Sequence, residues 1–409
     1  MRLLVISEWF PYPPIAGAKI RAYNLIRQLA RLAELDLVAQ VRTLTPEQLA
    51  AGKDHLGQFC RTVEAVPVIP YHYSTGKALR TLVDPVPPVV RYMRNQPLEQ
   101  AVALRWGQGY DAAVATISGY PSATLRSLVT LGMRPLVADS LELGGFRPKR
   151  RGPSMRSVRS AVTWWRMRRF TRNILRDVDV VTVTSEAERE LFRDLQHDPD
   201  QCVVMPSVLD LRDYDGQYAP RDYSALLYAG SFGYVANYEA MQWFTKEVFG
   251  HITGRETVKV RVTGNTAGRD LAPLREACPQ VEFTGFVDDI RPHFAQSGIC
   301  IVPILTGGST RLKIVEAMAW GTPVVSTRIG AEGLEVTHGE NIMLADTPVD
   351  FAGAVERLVW DRDLWQHISE GGRRLVEERY SADRMYHQLG QVLSGLTAPE
   401  RLPLKKGQL

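Results

Sequence analysis

Short runs of continuously apolar residues alternate along the 409-residue chain with longer segments whose apolar residues have helical spacing. Runs that are apolar at every position are typical of parallel strands covered by helices on both faces. Segments 18–33 and 237–249, which lie between such runs, have the spacing of amphipathic helices. The sequence therefore predicts an α/β protein with doubly wound parallel sheets.

Thirteen of the apolar runs are predicted to form buried strands. Those of the first half are residues 2–7, 35–41, 63–69, 111–117, 135–139 and 178–184. Those of the second half are residues 202–206, 225–230, 257–264, 281–285, 298–304, 322–327 and 341–345. A chain of this length is too long for one hydrophobic core, so two domains are expected.

The boundary between the domains is predicted in residues 206–224, which are rich in Asp, Tyr and Pro and have weak periodicity. We assign residues 1–207 to the first domain and residues 208–375 to the second. Residues 376–409 are expected to form a C-terminal helix that packs back on the first domain, followed by a tail.

Composition and charge narrow the class of protein. The net charge of +4 is small for this length, so charge alone argues neither for nor against a nucleic-acid partner. The four cysteines are far apart, which predicts neither disulfides nor a zinc site and favours a reducing compartment. The N-terminal apolar run ends at Trp9, too early for a signal-peptide core, and no window approaches about 18 apolar residues. A cytoplasmic protein is expected.

The segment "GGSTRLKIVEAMAWGTPVVS", residues 307–326, places polar groups after a predicted strand. In an open parallel sheet, ligands bind outside the carboxyl ends of the strands. Gly307 and Gly308 allow the backbone close to a ligand, and Ser309 or Thr310 is expected to cap the helix that follows. The N–H groups and the dipole at that helix N-terminus predict an anion site.

Three charged side chains follow in the same helix. Arg311 and Lys313 are cations at a helix end where cations are disfavoured unless an anion is bound. Glu316 lies one turn after Lys313 on the same face, where its carboxylate is placed to accept hydrogen bonds from two sugar hydroxyls. The set predicts a diphosphate site with a ribose beside it. The alternative interpretation is a solvated helix in which Glu316 pairs with Lys313 at spacing i, i+3.

A nicotinamide-dinucleotide site is the competing prediction for a fold of this class. It requires a G-x-G-x-x-G turn after a strand. Neither "LVISEWFPYPPIAGAKIR" nor "LLYAGSFGYVANYEA" contains that turn, so the prediction is set aside.

Residues 283–344 resemble the donor-binding half of the glycosyltransferases of family 4. The resemblance is carried by "GGSTRLKIVEAMAWGTPVVST" followed by "GAEGL", a long and specific match. Residues 226–249 resemble the first strand, loop and helix of the same half. Residues 6–30 and 180–192 resemble the entry and the closing elements of the family's first domain. The resemblance implies the GT-B fold, with two Rossmann-like domains facing a central cleft.

The resemblance also implies roles for particular residues. Glu316 would bind the ribose hydroxyls of the donor, while Arg311 and Lys313 would neutralise the leaving diphosphate. The remaining donor-binding residues would lie in three loops and are Gly17, Gly230, Ser231, Gly308, Ser309 and Thr310.

The sequence departs from the family pattern at three places. Gly308 stands where members with E-x(7)-E have a first Glu, and "AGSFGYVAN" lacks the usual Arg and Lys, which strengthens the assignment of Arg311 and Lys313. Where many members have a His in the first domain, "ATISGYPSA" offers Ser118 and Tyr120. Ser118 is therefore the candidate for the catalytic group that meets the acceptor.

The implied activity is transfer of a sugar from a nucleotide sugar to a hydroxyl of a glycan, lipid-linked or small-molecule acceptor, with retention, in polysaccharide or glycoconjugate biosynthesis. The leaving phosphate would itself receive the acceptor's proton. No metal or other cofactor is expected, because cations and the helix dipole stabilise the departing charge. Two alternatives stay open: a hydrolysing nucleotide-sugar epimerase of the same architecture, and a degenerate sugar-nucleotide-binding partner of another transferase.

Residues 147–176 form the most basic part of the chain, with ten Arg, one Lys and no acidic residue. Trp164, Trp165 and Phe170 lie among them. This mixture favours peripheral contact with an anionic membrane, such as the inner membrane face, because aromatic rings settle at headgroup level while Arg binds phosphates. The alternative is a helix that packs both tryptophans into the core. Nothing else in the sequence supports RNA as a third ligand.

Overall fold

The computed structural model describes residues 1–15, 17–68, 86–87, 90–91, 94–119, 122–142, 155–195, 198–216, 218, 220–306 and 311–397. The chain divides into two compact units, each built on a parallel sheet. The first unit comprises Met1–Pro206 and the segment from Asp383 onward, and the second comprises Ser207–Ala382.

The sheet of the first unit has the described strand order β3-β2-β1-β4-β5-β6-β7. Its strands β1 to β7 are Arg2–Ser7, Glu34–Val41, Thr62–Pro67, Ala112–Gly119, Leu136–Leu141, Val180–Val183 and Cys202–Val204. The helices α1 to α6 are Gly17–Leu29, Pro46–Leu56, Gln96–Trp106, Ala123–Thr130, Met155–Leu175 and Glu186–Arg193. Since β1 pairs with both β2 and β4, the direction of winding reverses between β1 and β4.

The helices of the first unit begin where short polar side chains accept hydrogen bonds from free backbone N–H groups. The N-cap residues of α2, α3, α4 and α6 are Thr45, Asn95, Ser122 and Ser185. The continuous apolar runs are buried on both faces, as in β1, where five of the six residues are buried.

Helix α1 is fixed over the sheet by a buried ion pair. Arg21 donates to both oxygens of Asp139, at 3.0 and 2.7 Å, and Thr182 donates to the same carboxylate at 2.6 Å. Arg21 also donates to the carbonyl of Met205 at 2.8 Å. A buried charge pair needs this many partners to offset its desolvation. The contacts fix the start of α1, and with it the position of Gly17.

The sheet of the second unit has the described order β10-β9-β8-β11-β12-β13. Its strands β8 to β13 are Asp222–Ala229, Lys259–Thr263, Val281–Gly285, Ser297–Val302, Val324–Ser326 and Met343–Leu344. The helices α7 to α12 are Val235–Trp243, Ala272–Ala277, Arg291–Gln296, Leu312–Ala319, Pro348–Trp360 and Arg362–Arg379. Winding reverses between β8 and β11, which pair with each other at the centre of the sheet.

The last described helix, α13 (Ala382–Thr397), packs on the first unit. Arg31 forms an ion pair with Asp383 at 2.9 Å, and its guanidinium lies 4.0 Å from the ring centroid of Tyr386. Gln388 donates to the carbonyl of Val204 at 3.0 Å.

All thirteen predicted strands are confirmed as elements of two parallel sheets. One was grouped with the wrong half of the chain: residues 202–206 contain β7, which pairs with β6 and so belongs to the first sheet. The position 375/376, where the second domain was expected to end, falls inside α12, and the second unit continues to Ala382. None of the described helices is both long and apolar enough to cross a membrane.

Candidate functional site

The carboxyl edge of the second sheet, at β8 and β11, is where this topology forms a ligand crevice. Helix α7 follows β8, and α10 follows β11. Three of the predicted residues, Arg311, Lys313 and Glu316, lie on or directly before α10. Gly230 follows β8 directly. Sequence separation thus hides a close group: residues about 85 positions apart contact each other here.

Arg311 occupies the N-cap position of α10, with extended backbone angles and no side-chain capping hydrogen bond. Its carbonyl accepts the first helical hydrogen bond, from the N–H of Ile314 at 2.9 Å. The expectation that Ser309 or Thr310 is the cap is therefore wrong, because the helix begins one residue later. Gly308, Ser309 and Thr310 themselves lie outside the described residues.

Lys313 is half-buried and points to the carboxyl end of β8. Its Nζ atom donates to the Tyr228 hydroxyl and to Asn237 Oδ1, both at 3.4 Å. The same atom lies 4.3 Å from the centroid of the Tyr228 ring, in cation–π geometry. These partners are neutral, so Lys313 keeps its positive charge uncompensated in the part of the chain that the structure describes.

Gly230 packs directly against the Lys313 ammonium. A Cβ atom at this position would lie 2.8 Å from Lys313 Nζ and 2.8 Å from Asn237 Nδ2. The backbone of Gly230 is in turn crowded by Gly264, whose φ is +130° and where a Cβ would lie 2.6 Å from the Gly230 carbonyl. Side chains at either glycine would therefore displace the lysine or the strand ends.

Glu316 is half-buried on the next turn of α10. Its Oε1 atom accepts a hydrogen bond of 3.4 Å from the Tyr214 hydroxyl. Tyr214 ends the short 3₁₀ helix Leu211–Tyr214, and its ring packs at 5.7 Å on that of Trp320. The predicted ribose-binding carboxylate is therefore within reach of one neutral donor.

The alternative interpretation, an ion pair between Lys313 and Glu316 along the helix surface, is wrong. Among the described residues their hydrogen bonds go to other elements, those of Lys313 to β8 and α7 and that of Glu316 to Tyr214. The two side chains diverge because α10 is packed on both sides and is not a solvated helix: Ile314, Val315 and Ala317 are fully buried.

Burial shifts both titrations toward neutrality. Desolvation, and secondarily the charge of Arg311, lowers the pKa of Lys313 to about 8. Desolvation raises the pKa of Glu316 to about 7, against the opposing effects of the Tyr214 hydrogen bond and the Lys313 charge. A cation and a carboxylate that both resist charging are typical of a functional site that binds a charged, polar ligand.

The predicted site residues of the first unit are only partly described. Gly17 is the first residue of α1, which follows β1 in the chain. Ser118 lies in the last turn-facing part of β4, after a register shift that follows Thr116, but its side chain is outside the described residues. Its catalytic role stays a prediction. Tyr120 is also outside the described residues.

Ser231 supports the loop after β8. Its hydroxyl donates to the carbonyl of Asn265 at 3.1 Å and accepts from the N–H of Gly233 at 3.2 Å. Its carbonyl accepts from Asn237 Nδ2 at 2.8 Å. Ser231 is exposed, so its hydroxyl lies at the surface of the predicted donor site.

Sequence reasoning missed Tyr228, Asn237 and Tyr214. Tyr228 lies within an apolar strand, where its hydroxyl is hidden in the pattern of buried residues. Asn237 carried a usable signal, because it is a polar residue at a buried position of an otherwise apolar helix face. Tyr214 lies in the low-periodicity segment that was used only to place the boundary.

Helix α5 carries the basic segment, and its C-terminal half packs on the first unit through Met167, Ile174 and Leu175. Arg168 and Arg172 donate to the carbonyls of Asp194 and Leu195 at 2.6 and 3.1 Å. The interpretation that both tryptophans enter the core is wrong for Trp165, which is 61% exposed. An outward-facing tryptophan on a basic helix is the arrangement that the membrane hypothesis requires.

The described residues contain no group of three or more His, Cys, Asp or Glu side chains placed to hold a metal ion. The cations next to the predicted diphosphate position are Arg311 and Lys313.

Comparisons with known proteins agree with this site. Residues 224–361 match the family of Glycosyl transferases group 1. A Klebsiella pneumoniae protein described as an uncharacterized 44.6 kDa protein in the cps region is 23% identical over 172 residues, 40% of this chain and 44% of its own length. The Rhizobium meliloti lipopolysaccharide core biosynthesis glycosyltransferase LpsE is 30% identical over 117 residues, 28% of this chain and 34% of its own length. The chain thus spans less than half the length of these curated relatives.

A solved structure extends the likeness to the whole chain. Anabaena Alr3699/HepE in complex with UDP-glucose has a TM-score of 0.67 at 17% identity, covering 97% of this chain and 100% of that one. At this identity the likeness shows the fold, and the chain has the GT-B fold. The matched segment covers most of the second unit, including β8, α7 and α10. The second unit is therefore a domain of the group 1 glycosyl transferases.

Proposed function

We propose that the protein is a glycosyltransferase that moves a sugar from a nucleotide-sugar donor to an acceptor hydroxyl, and that it belongs to family 4. The observation that carries the proposal is the uncompensated ammonium of Lys313, held beside Arg311 and Glu316 at the carboxyl edge of a group 1 domain. The solved neighbour Alr3699/HepE binds UDP and UDP-glucose, which supports a nucleotide sugar as donor.

Each group has a distinct task in this proposal. Lys313 and Arg311 contact the diphosphate, and Glu316 accepts hydrogen bonds from the ribose hydroxyls in place of the one it now accepts from Tyr214. As the bond between the anomeric carbon and the diphosphate oxygen breaks, its electron pair stays on the diphosphate, where the two cations stabilise the growing charge. No metal or other cofactor is required by this scheme.

Transfer is completed by the acceptor. Its hydroxyl oxygen forms the new bond to the anomeric carbon, and its proton passes to the departing phosphate oxygen. Because that phosphate lies on the face from which it leaves, this route gives retention of configuration. The first unit would hold the acceptor, with Ser118 as the candidate for contact with its hydroxyl.

The test is incubation of the purified protein with UDP-, GDP-, ADP- and dTDP-sugars, with and without acceptor hydroxyl compounds, followed by measurement of free nucleoside diphosphate. We expect release from one class of donor, increased by an acceptor and accompanied by a glycosylated product. Release with free sugar alone and no dependence on acceptor indicates the epimerase-type alternative. Tight binding of a nucleotide sugar without any release indicates a binding partner.

We further propose that α5 brings the protein to an anionic membrane surface, where lipid-linked acceptors are found. Val162 and Trp165 are 51% and 61% exposed on this helix, and the guanidinium of Arg169 lies 5.9 Å from the Trp165 ring centroid. Among the described residues of α5, apolar and cationic groups thus face solvent together, as in helices that lie in the headgroup region.

Trp165→Ala combined with Arg169→Gln is expected to abolish co-sedimentation with vesicles that contain phosphatidylglycerol. Each surface arginine contributes roughly 1 kcal/mol, about fivefold in partitioning, and salt screens this contribution beyond about 8 Å. Trp360→Ala is the matched control, since Trp360 is 64% exposed on α11 of the second unit. Equal sedimentation of both variants, or parent protein that stays in the supernatant at low salt, contradicts the membrane proposal.

A further inference from the structure

We propose that Tyr228 and Asn237 are positioning residues: they fix two N–H groups of the Lys313 ammonium with uncharged acceptors and leave the third for the diphosphate of the donor. This inference rests on the proposed function. It adds two residues to the reaction machinery that act through Lys313 and do not themselves contact the donor.

The geometry is a closed triangle of polar groups from three elements. Tyr228, in β8, donates its hydroxyl to Asn237 Oδ1 at 2.8 Å. Lys313, in α10, donates to the oxygen atoms of both, at 3.4 Å each. An ammonium group has three donors, and the described residues take two of them. The position of the cation is therefore set before any ligand arrives, which is the condition for strong electrostatic stabilisation of a transition state.

Asn237 is anchored on its other side as well. Its Nδ2 atom donates to the carbonyl of Ser231 at 2.8 Å, in the loop that follows β8. This bond fixes the amide so that its oxygen, and not its nitrogen, faces the lysine. Gly230, between these residues, brings the backbone against the ammonium, where a Cβ would lie 2.8 Å from Nζ.

The acceptors are neutral, and this determines what the lysine can do. A carboxylate in the place of the Asn237 amide would also fix the ammonium, but it would neutralise the charge and compete with the diphosphate. Neutral oxygens hold the position and leave the charge available. The cost is an incompletely compensated cation in a partly desolvated place, which agrees with the lowered pKa of Lys313.

The titratable groups that face Lys313 come from three elements. Tyr228 of β8 has a pKa raised by burial, and burial raises the pKa of the Cys300 thiol in β11 to about 12, so both are neutral below pH 10. Arg311 and Glu316 flank the lysine on α10, and the Glu316 carboxyl is ionised above its pKa of about 7. Between pH 8 and 10, Lys313 is thus the group whose charge changes.

The experiment measures the dissociation constant of a nucleoside diphosphate by calorimetry between pH 7.5 and 10. The probe is whichever of UDP, GDP, ADP and dTDP binds the parent best. For the parent, affinity is expected to fall up to tenfold per pH unit above about pH 8, because the neutral amine binds the diphosphate poorly. Asn237→Asp is expected to move this alkaline limb upward by about one pH unit or more, since an opposite charge within hydrogen-bond distance raises a lysine pKa.

Tyr228→Phe provides a second variant that keeps the ring face under the ammonium and removes only the hydroxyl. We expect about three- to tenfold weaker binding with an unshifted alkaline limb, the effect of one lost hydrogen bond. The matched control is Tyr380→Phe, which removes another buried tyrosine hydroxyl of the second unit, one that accepts from the N–H of Glu335 far from Lys313 in sequence. It is expected to change melting temperature without changing diphosphate affinity.

The outcomes separate the inference from the function on which it rests. A lower melting temperature in Asn237→Asp and Tyr228→Phe, with parental diphosphate affinity and an unmoved alkaline limb, means that both residues serve only the fold and overturns the inference. A parent protein that binds none of the four nucleoside diphosphates overturns the proposed function itself.

Discussion

Lys313→Ala and Arg311→Ala are each expected to lower turnover about a hundredfold, the usual effect of removing one preorganised group from a developing charge. Donor binding is expected to weaken less than turnover, because the charge on the diphosphate grows as the glycosidic bond breaks. The measurement is kcat and KM for the nucleotide sugar identified in the donor panel. Near-parental kcat in both variants would contradict the assignment of these cations.

The stability of a Lys313 variant gives an independent check. Because the folded-state pKa of Lys313 is lowered to about 8, the charged lysine opposes folding at pH 7, where it is protonated in both states. This penalty is fully present below about pH 8 and is lost as pH rises toward the ordinary lysine pKa. Lys313→Met, which fills the same space without charge, is therefore expected to melt higher than the parent at pH 7. The difference should shrink by pH 10.

That combination distinguishes a functional lysine from a structural one. A residue kept for stability loses melting temperature and activity together when it is replaced. Lys313→Met is expected to lose activity while gaining stability, as residues at binding sites often do. A lower melting temperature in Lys313→Met at pH 7 would show that the hydrogen bonds to Tyr228 and Asn237 outweigh the cost of desolvation.

Glu316→Ala is expected to weaken binding of the donor nucleotide by about 1.5–3 kcal/mol, the range for hydrogen bonds to a charged group. This corresponds to roughly 10- to 150-fold in the dissociation constant. The pKa of the carboxyl is raised to about 7, so the ionised form that accepts from ribose hydroxyls becomes dominant only above that pH. Affinity of the parent should therefore rise between pH 6 and 8.

Glu316→Gln is the matched control for the charge. It retains the shape of the side chain and one acceptor oxygen, and it removes the titration. Because the phosphate groups of the ligand titrate over a similar range, the comparison that matters is the difference between parent and Glu316→Gln at each pH. We expect this difference to be largest at pH 8 and smallest at pH 6. A difference that is constant with pH would show that Glu316 does not act as a carboxylate toward the nucleotide.

The strands and the place of the site could be predicted from the sequence because both depend on local pattern. Continuous apolar runs specify buried parallel strands, and "GGSTRLKIVEA" places its charged residues after one of them. The same reasoning misassigned residues 202–206, because an edge strand such as β7 has no local mark of the sheet to which it belongs.

The contacts within the site could not be predicted, because they depend on tertiary packing. The i, i+3 spacing of Lys313 and Glu316 suggested a surface pair, but packing of α10 against β8 and α7 directs Lys313 to Tyr228 and Asn237. Those residues lie about 85 and 76 positions away in the chain. Trp165 shows the converse case: its apolar character suggested a core position, and packing through Met167 and Ile174 leaves it outside.

The most direct test of the account is a crystal structure of the protein with the nucleoside diphosphate that it binds best. We predict that the diphosphate contacts Lys313 Nζ and the Arg311 side chain, and that the ribose hydroxyls donate to Glu316 in place of Tyr214. A nucleotide bound with its diphosphate away from Lys313, or with Glu316 still engaged only by Tyr214, would contradict the central claim that this edge of the second sheet is the donor site.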